Sequence, residues 1–244
     1  MEHEVQLGGL LLRLRRPAAC QLPTPAAELS LALARLLLAS PALLAGASVL
    51  ELGCGPLALP SLAALRWCRL AVATDGSAAA LGLLRQNAAR VGPLFVIERL
   101  RLQRLELDGS AAGAGGGSGG GGSSGDDDGL PRRQRQQRLL RSACPAGYDV
   151  VVSAARASPA SLAAAAAALL SRRPGAVALL LLSQRDGVAG SDPGAEAMEL
   201  VARRHGLRVA EPWPADLATA ARLAGLPPQA AAANGSMGLV VLQF

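Results

Sequence analysis

The most regular feature of the chain is a series of short apolar runs separated by amphipathic segments. Such runs are typical of strands buried on both faces of a parallel sheet, and the intervening leucines recur at helical spacing. The predicted strands are the first half of 47–55, then 70–74, part of 98–107, 148–152, 176–183, 207–210 and 237–243. Seven strands with helices between them predict an α/β fold with one doubly wound sheet and helices on both faces.

Helical patterns fill the intervals between these strands. They are predicted over 26–39, from Pro60 onward, over 77–91, over 162–170 and over 195–205. Ahead of them, alternating apolar positions predict a hairpin over Val5–Leu14. Residues 1–244 are therefore predicted to form a single domain, in which a hairpin and a helix in 1–46 precede the sheet.

A change of composition interrupts this pattern over residues 109–142. The segment begins with a glycine- and serine-rich stretch, continues with Asp126–Asp128, and ends with the basic run 131–141. We interpret it as a low-complexity insertion between the third and fourth strands. A solvated segment is favoured for the basic run, and an electrostatic tether or an RNA contact is the alternative.

The glycine turn after the first strand carries the main candidate site. Glu51, Gly53, Cys54 and Gly55 follow an apolar strand and precede the helix at Pro60, which is the order of a nucleotide-binding βα unit. An acidic residue two positions before the first glycine suits S-adenosylmethionine better than a dinucleotide. Ala58 also stands where the dinucleotide motif has its third glycine. The alternative is a tight turn without a ligand.

A second acidic residue follows the next predicted strand. Asp75 and Gly76 lie about twenty residues beyond the first glycine, the distance at which a carboxylate reaches ribose hydroxyls in doubly wound nucleotide sites. Asp75 is also a good helix-capping residue, and the two roles are compatible.

Composition narrows the choice of partners. The chain has 244 residues, a net charge of +6, 51% hydrophobic residues and 2% aromatic residues. All 24 basic residues are arginines, which indicates a compositional bias and weakens the charge as a sign of nucleic-acid binding. The charge is therefore a weak basis for a nucleic-acid partner, and we expect no such partner and a monomer.

Cysteine and histidine spacing argues against a metal site. The cysteines are Cys20, Cys54, Cys68 and Cys144, and none is paired with another or with His3 or His205 at ligand spacing. We therefore predict no metal. We also predict no leader. No apolar run approaches the length of a transmembrane helix, so we predict no membrane partner. The predicted compartment is the cytoplasm, with the nucleus as the alternative.

Several of these stretches together resemble a known family. The segments Val49–Gly55, Ala73–Gly76, Leu84–Asn87, Tyr148–Val152 and Arg203–Leu207 resemble the seven-strand S-adenosylmethionine-dependent methyltransferases, most of all the family-16 protein-lysine methyltransferases. The resemblance implies a Rossmann-like sheet, S-adenosylmethionine as the cofactor and a lysine side chain of a protein as the methyl acceptor. It also implies that Leu107, Asp108 and Ala154 line the cofactor pocket.

The chain departs from that family at positions of the cofactor pocket and of the reaction site. Leu57-Ala58 replaces a single glycine of the family, and two pocket tryptophans fall on Ala27 and Leu107. The family's Asp-x-x-Tyr falls on residues 155–158, AlaArgAlaSer, so no catalytic residue is assigned. Asp149, Asp108 or backbone carbonyls would then have to accept the amine proton.

These departures leave the level of activity open. The first hypothesis is a protein methyltransferase with weakened activity. The second is a catalytically inactive protein of the same fold that binds the cofactor or a protein partner. The third is an RNA-associated adaptor that works through the basic run 131–141.

Overall fold

A computed structural model describes residues 2–7, 10–15, 25–91, 97–107, 132–154, 157–183, 200–210 and 237–244. The strands are β1 Glu2–Leu7, β2 Leu10–Arg15, β3 Ser48–Leu52, β4 Leu70–Asp75, β5 Leu100–Arg104, β6 Val150–Ser153, β7 Val177–Ser183, β8 Arg208–Ala210 and β9 Met237–Gln243. The helices are α1 Pro25–Leu38, α2 Pro41–Leu44, α3 Leu59–Ala64, α4 Ala78–Val91, α5 Arg132–Ala143 and α6 Pro159–Leu169.

Seven of the strands form one sheet, as the sequence predicts. Their order is β5-β4-β3-β6-β7-β9-β8, and β9 runs antiparallel to both of its neighbours. Strands β3 to β7 pair in parallel. From β3 the chain first builds outward through β4 and β5 and then returns to the other side of β3 as β6. In sheets of this kind, ligands bind where the strand order reverses, which is here at the carboxyl ends of β3 and β6.

Both faces of the sheet are covered, which explains the continuous apolar runs. Along β3 the side chains alternate, so that Val49 joins one core cluster while Leu50 and Leu52 join the other. The first cluster contains α1, α3, α4 and the hairpin, and the second contains α5 and α6. The predicted placement of helices on both faces is confirmed.

The hairpin and first helix also lie where the sequence predicts them. β1 and β2 pair antiparallel, and their inward-facing Val5, Leu7, Leu12 and Leu14 are buried. α1 begins at Pro25, the expected first helical position, and ends within a residue of its predicted end. Within the described ranges, no helix is long and apolar enough to cross a membrane.

The assignment of residues 132–142 to a low-complexity insertion is wrong, because these residues lie in α5. Gln136 and Leu140 are one helical turn apart and both are buried. The Gln136 Oε1 atom accepts a hydrogen bond of 3.0 Å from the backbone N–H of Glu106, and Arg141 donates to the carbonyl of Ala168. α5 is thus part of the packed fold. Residues 109–131 of the predicted insertion lie outside the described residues.

The last predicted helix is visible in part. Residues 200–204 are helical and the turn ends at Gly206, as predicted from 195–205. Residues 195–199 lie outside the described residues.

The packing of α5 is testable with two neighbouring leucines. Leu140→Ala should lower the free energy of unfolding by about 2–5 kcal/mol, because it removes a fully buried side chain. Leu139→Ala is the matched control, since Leu139 is 54% exposed, and should change it by less than about 0.5 kcal/mol. Urea unfolding of both variants measures the difference, and equal effects would show that α5 does not pack on the sheet.

Candidate functional site

The strand register brings the candidate residues to one edge of the sheet. Leu52 at the end of β3 pairs with Thr74 of β4 and with Ser153 of β6. The residues that follow these three positions are Gly53, Asp75 and Ala154, so all of them lie at the same carboxyl edge. Cys54, Gly55 and Gly76 continue from them, and Glu51 precedes them inside β3.

The glycine turn needs glycine for its backbone conformation. Gly53 has φ +68° and Gly55 has φ +60°, backbone angles that residues other than glycine rarely adopt. A Cβ atom on Gly55 would meet nothing within 4 Å, so the space beside this glycine is open. The Gly55 N–H donates to the Asp75 Oδ2 atom at 2.9 Å, which ties the turn to the end of β4.

Asp75 has the helix-capping role that the sequence leaves open for it. Its Oδ1 atom accepts the N–H of Ser77 at 2.8 Å, and the Ser77 Oγ atom accepts the N–H of Ala80 at 3.2 Å in the first turn of α4. The side chain therefore supports the start of the helix. Each carboxylate oxygen accepts one backbone N–H, and since each has two lone pairs, each retains capacity for a ligand hydroxyl.

Glu51 is a buried carboxyl group with a strong local partner. It is 2% exposed, and its Oε2 atom accepts the Ser61 N–H at 2.9 Å and the Ser61 Oγ–H at 2.5 Å. Burial raises the pKa of Glu51 to about 8, the hydrogen bonds from Ser61 lower it in part, and the charge of Asp75 raises it further. Glu51 is thus mainly protonated at neutral pH in this state.

Cys54 and Ala58 belong to the wall of the turn. Burial, followed by the charges of Glu51 and Asp75, raises the pKa of the Cys54 thiol well above its usual value, so this thiol is not a nucleophile. Ala58, at the amino end of α3, adopts φ +45° and is fully buried. It occupies a left-handed conformation that glycine would adopt without strain.

The other predicted pocket residues follow the ends of β4, β5 and β6. A Cβ atom on Gly76 would make ordinary contact with Glu106, at 3.5 Å from its Cγ atom. Leu107 is half-buried against the second core cluster, and Ala154 is buried in the first. Asp108 lies outside the described residues.

Sequence analysis missed three buried hydroxyl groups beside the site. Ser61 binds Glu51, the Thr74 Oγ–H donates to the Glu51 carbonyl at 2.7 Å, and the Ser153 Oγ–H donates to the Leu52 carbonyl at 2.9 Å. Ser61 was detectable as a departure, because it stands where the resembling family has glycine. Thr74 and Ser153 look like ordinary strand residues in the sequence.

The suggestion that Asp149 accepts a proton from the substrate is wrong. Asp149 precedes β6 and lies at the amino end of the strands, so β6 separates it from the candidate site by about 13 Å. Burial alone would raise its pKa, but hydrogen bonds from Ser48 and the charge of Arg69 hold the pKa below its usual value. A groove of about 620 Å³ at the same edge, lined in part by Asp149 and Arg173, is equally remote.

The positions of the missing Asp-x-x-Tyr pair give no catalytic group. Ala155 lies outside the described residues. The Ser158 side chain accepts the N–H of Ser161 at 3.2 Å and caps α6. Within the described ranges, no three His, Cys, Asp or Glu side chains form a group able to hold a metal ion.

Solved structures of other proteins resemble this one. Fibrillarin from Aeropyrum pernix, determined with natively bound S-adenosyl-L-methionine, matches with 11% identity and a TM-score of 0.52, over 99% of this chain and 82% of its own. Trm5b from Pyrococcus abyssi matches with 13% identity and a TM-score of 0.51, over 86% of this chain and 48% of its own. A TehB-like SAM-dependent methyltransferase from Corynebacterium glutamicum has 14% identity and a TM-score of 0.45, over 84% and 86% of the two chains.

The likenesses to fibrillarin and Trm5b, which both have TM-scores above 0.5, show the fold. The chain has the Rossmann-like, seven-strand fold of the class I methyltransferases, and this prediction is confirmed. No protein-family model and no curated protein sequence matches the chain. The assignment to the family-16 group stays a prediction.

The protonation of Glu51 makes stability depend on pH. An unfolded glutamic acid ionises near its ordinary pKa, whereas folded Glu51 keeps its proton up to about pH 8. The folded state therefore binds more protons between these two values, and the free energy of unfolding should fall as pH rises through this window, by at most about 1.4 kcal/mol per pH unit. Below the window, this contribution is fully present.

Glu51→Gln removes the titrating group but keeps an oxygen that accepts from Ser61. Urea unfolding between pH 5 and 8 should show a flatter pH dependence for this variant than for the wild type. Glu98→Gln, on an exposed turn before β5, is the control and should keep the wild-type slope. Parallel curves for Glu51→Gln and the wild type would contradict the assignment.

Proposed function

We propose that the chain binds S-adenosylmethionine at the carboxyl ends of β3 and β4 and transfers its methyl group to a protein. The observation that carries the proposal is the arrangement of two carboxyl groups around one glycine turn. Glu51 and Asp75 lie on adjacent strands, and Gly53 and Gly55 hold positive φ between them. This arrangement lies at the point where the sheet reverses its order, the usual ligand position in such folds.

The donor set fits this cofactor. Asp75 has lone pairs free for the two ribose hydroxyls, and the backbone at Gly55 leaves open space beside it. Glu51 places a second carboxyl group close to the turn, where ionisation would favour a positively charged ligand. The likeness to a fibrillarin structure that holds S-adenosyl-L-methionine supports the same cofactor.

When bound, S-adenosylmethionine supplies a methyl group activated by a positively charged sulfur. The residues of this chain then act by position. Asp75 would orient the ribose, Gly53 and Gly55 would let the backbone approach the ligand closely, and Glu51 would stabilise positive charge once it is ionised. Such a transfer requires an aligned, deprotonated acceptor and exclusion of water more than it requires a strong base.

The acceptor that we propose is the amine of a protein lysine side chain. The motifs shared with the family-16 methyltransferases support this choice. A lysine that enters a desolvated pocket loses its proton more readily, because burial disfavours the ammonium form. Asp108 and backbone carbonyls remain as candidates to accept the amine proton, since Asp149 lies at the opposite edge of the sheet. We expect slow transfer, because residues 155–158 lack the family's acid and phenol.

Cofactor binding is tested by comparing two aspartates at opposite ends of the strands. Saturating S-adenosylmethionine, at a hundredfold excess over its Kd, should stabilise the wild type by about 2.7 kcal/mol. Asp75→Ala should lose most of this stabilisation. Asp149→Ala is the matched control and should keep the stabilisation by the cofactor. Its stability without the cofactor should be lower, because it loses the contacts with Ser48 and Arg69. Calorimetry and thermal unfolding measure both, and a wild type without stabilisation at millimolar cofactor would refute the proposal.

Methyl transfer is tested with radiolabelled S-adenosylmethionine and a lysate from cells that lack this protein. The wild type should label protein bands slowly, Asp75→Ala should not, and prior nuclease treatment should leave the label in place. The chain contains no lysine, so label on the enzyme itself cannot be lysine methylation. Cofactor binding without transfer would favour the catalytically inactive alternative, and nuclease-sensitive label would contradict a protein acceptor.

A further inference from the structure

A buried asparagine connects three parts of the chain beside the candidate site. Asn87 lies in α4 and is fully buried. Its Oδ1 atom accepts the Arg15 N–H at 2.6 Å, and its Nδ2 atom donates to the Arg15 carbonyl at 2.9 Å. The same Nδ2 atom donates to the carbonyl of Pro56 at 3.0 Å. One side chain thus binds the end of the hairpin and the glycine turn together.

Helix packing alone does not account for an asparagine at this position. On the buried face of α4 its neighbours are Leu84, Ala88 and Val91. Asparagine is a poorer helix former than alanine or leucine, which could fill a buried helical position by packing alone. A buried amide is stable only when its polar atoms are paired. Asn87 meets this condition through backbone groups far away in the sequence.

Pro56 is the part of the turn that needs such a partner. It has no N–H, so its carbonyl is the backbone group through which the turn can be held at this residue. On the other side, Gly55 donates to Asp75. The segment between Gly53 and Ala58 is therefore anchored by Asp75 at the end of β4 and by Asn87 in α4, the helix that follows β4.

We propose that Asn87 is a positioning residue for the cofactor site, which fixes the carbonyl of Pro56 and so holds the glycine turn in the shape that receives the ligand. The inference rests on the proposed function for its ligand. Its structural part, the restraint of the turn, is measurable without any ligand.

Two variants separate positioning from general stability. Asn87→Asp keeps the shape and the oxygen that accepts from Arg15, but loses the N–H donors to the carbonyls of Pro56 and Arg15. Asn87→Ser is the second variant, for use if the aspartate prevents folding. Leu14→Ala is the matched control, because it removes a fully buried side chain of the hairpin and leaves the bond between Asn87 and Pro56 intact.

Hydrogen exchange is the readout that needs no cofactor. In the Asn87 variant, the amides of Gly55 and Ala58 should exchange at least about tenfold faster, while those of β3 keep their wild-type rates. Leu14→Ala should leave the exchange of Gly55 and Ala58 unchanged. Unchanged exchange of the turn in the Asn87 variants, or equal acceleration in Leu14→Ala, would overturn the proposal.

Cofactor affinity is the second readout, measured by calorimetry at a temperature at which all variants are folded. The Asn87 variant should raise the Kd for S-adenosylmethionine about tenfold, which corresponds to the loss of one hydrogen bond, and Leu14→Ala should not. An unchanged Kd in the Asn87 variant would overturn the positioning role. If the wild type binds no cofactor, the proposed function fails, and the exchange experiment alone decides whether Asn87 restrains the turn.

Discussion

The parallel pairing of β3 with β4 on one side and β6 on the other determines where the candidate site lies. Because Leu52 pairs with both Thr74 and Ser153, the residues after these strands emerge at one level. Burial of both faces of β3 fixes this register, since a shift by one residue would move every side chain to the opposite face. Buried hydroxyl groups reinforce it: Thr74 and Ser153 donate to carbonyls of β3. The site is therefore a consequence of sheet packing before any ligand is considered.

The turn that follows β3 carries backbone strain at Ala58. This chain has Leu57-Ala58 where the resembling family has one glycine, and Ala58 adopts the left-handed conformation. Such a conformation costs an alanine roughly 1–2 kcal/mol. Strained residues persist when the surrounding structure over-determines them. Here the Ala58 N–H bonds to the Cys54 carbonyl at 3.2 Å, its methyl group is fully buried, and Asp75 and Asn87 hold the turn from two sides.

Sequence patterns predicted the features that depend on the spacing of nearby residues. They missed the features that depend on contacts between distant segments of the chain. The strand, the glycine turn and Asp75 follow from spacing alone. α5 was missed because Gln136 and Leu140 are the only buried residues among 134–143, the part of the helix whose side chains are described, and because a glycine-rich segment precedes it. Asn87 has no local signal, because the backbone groups that it binds come from distant segments. The position of Asp149 could have been predicted, since it lies at the start of the predicted parallel strand 148–152 and therefore at the amino edge of the sheet.

Asp75 and Asp149 are both aspartates next to the end of a strand, but they lie at opposite ends of the parallel strands. The Asp149 Oδ2 atom accepts from the N–H and Oγ–H of Ser48 and faces Arg69, so its charge is compensated within the fold. Asp75 accepts one backbone N–H on each oxygen and lies beside the open space at Gly55. Backbone donors hold its carboxylate in place without neutralising it, and each oxygen keeps a lone pair that can accept from a ligand. A carboxylate in that state stabilises the fold and still has binding capacity for a ligand.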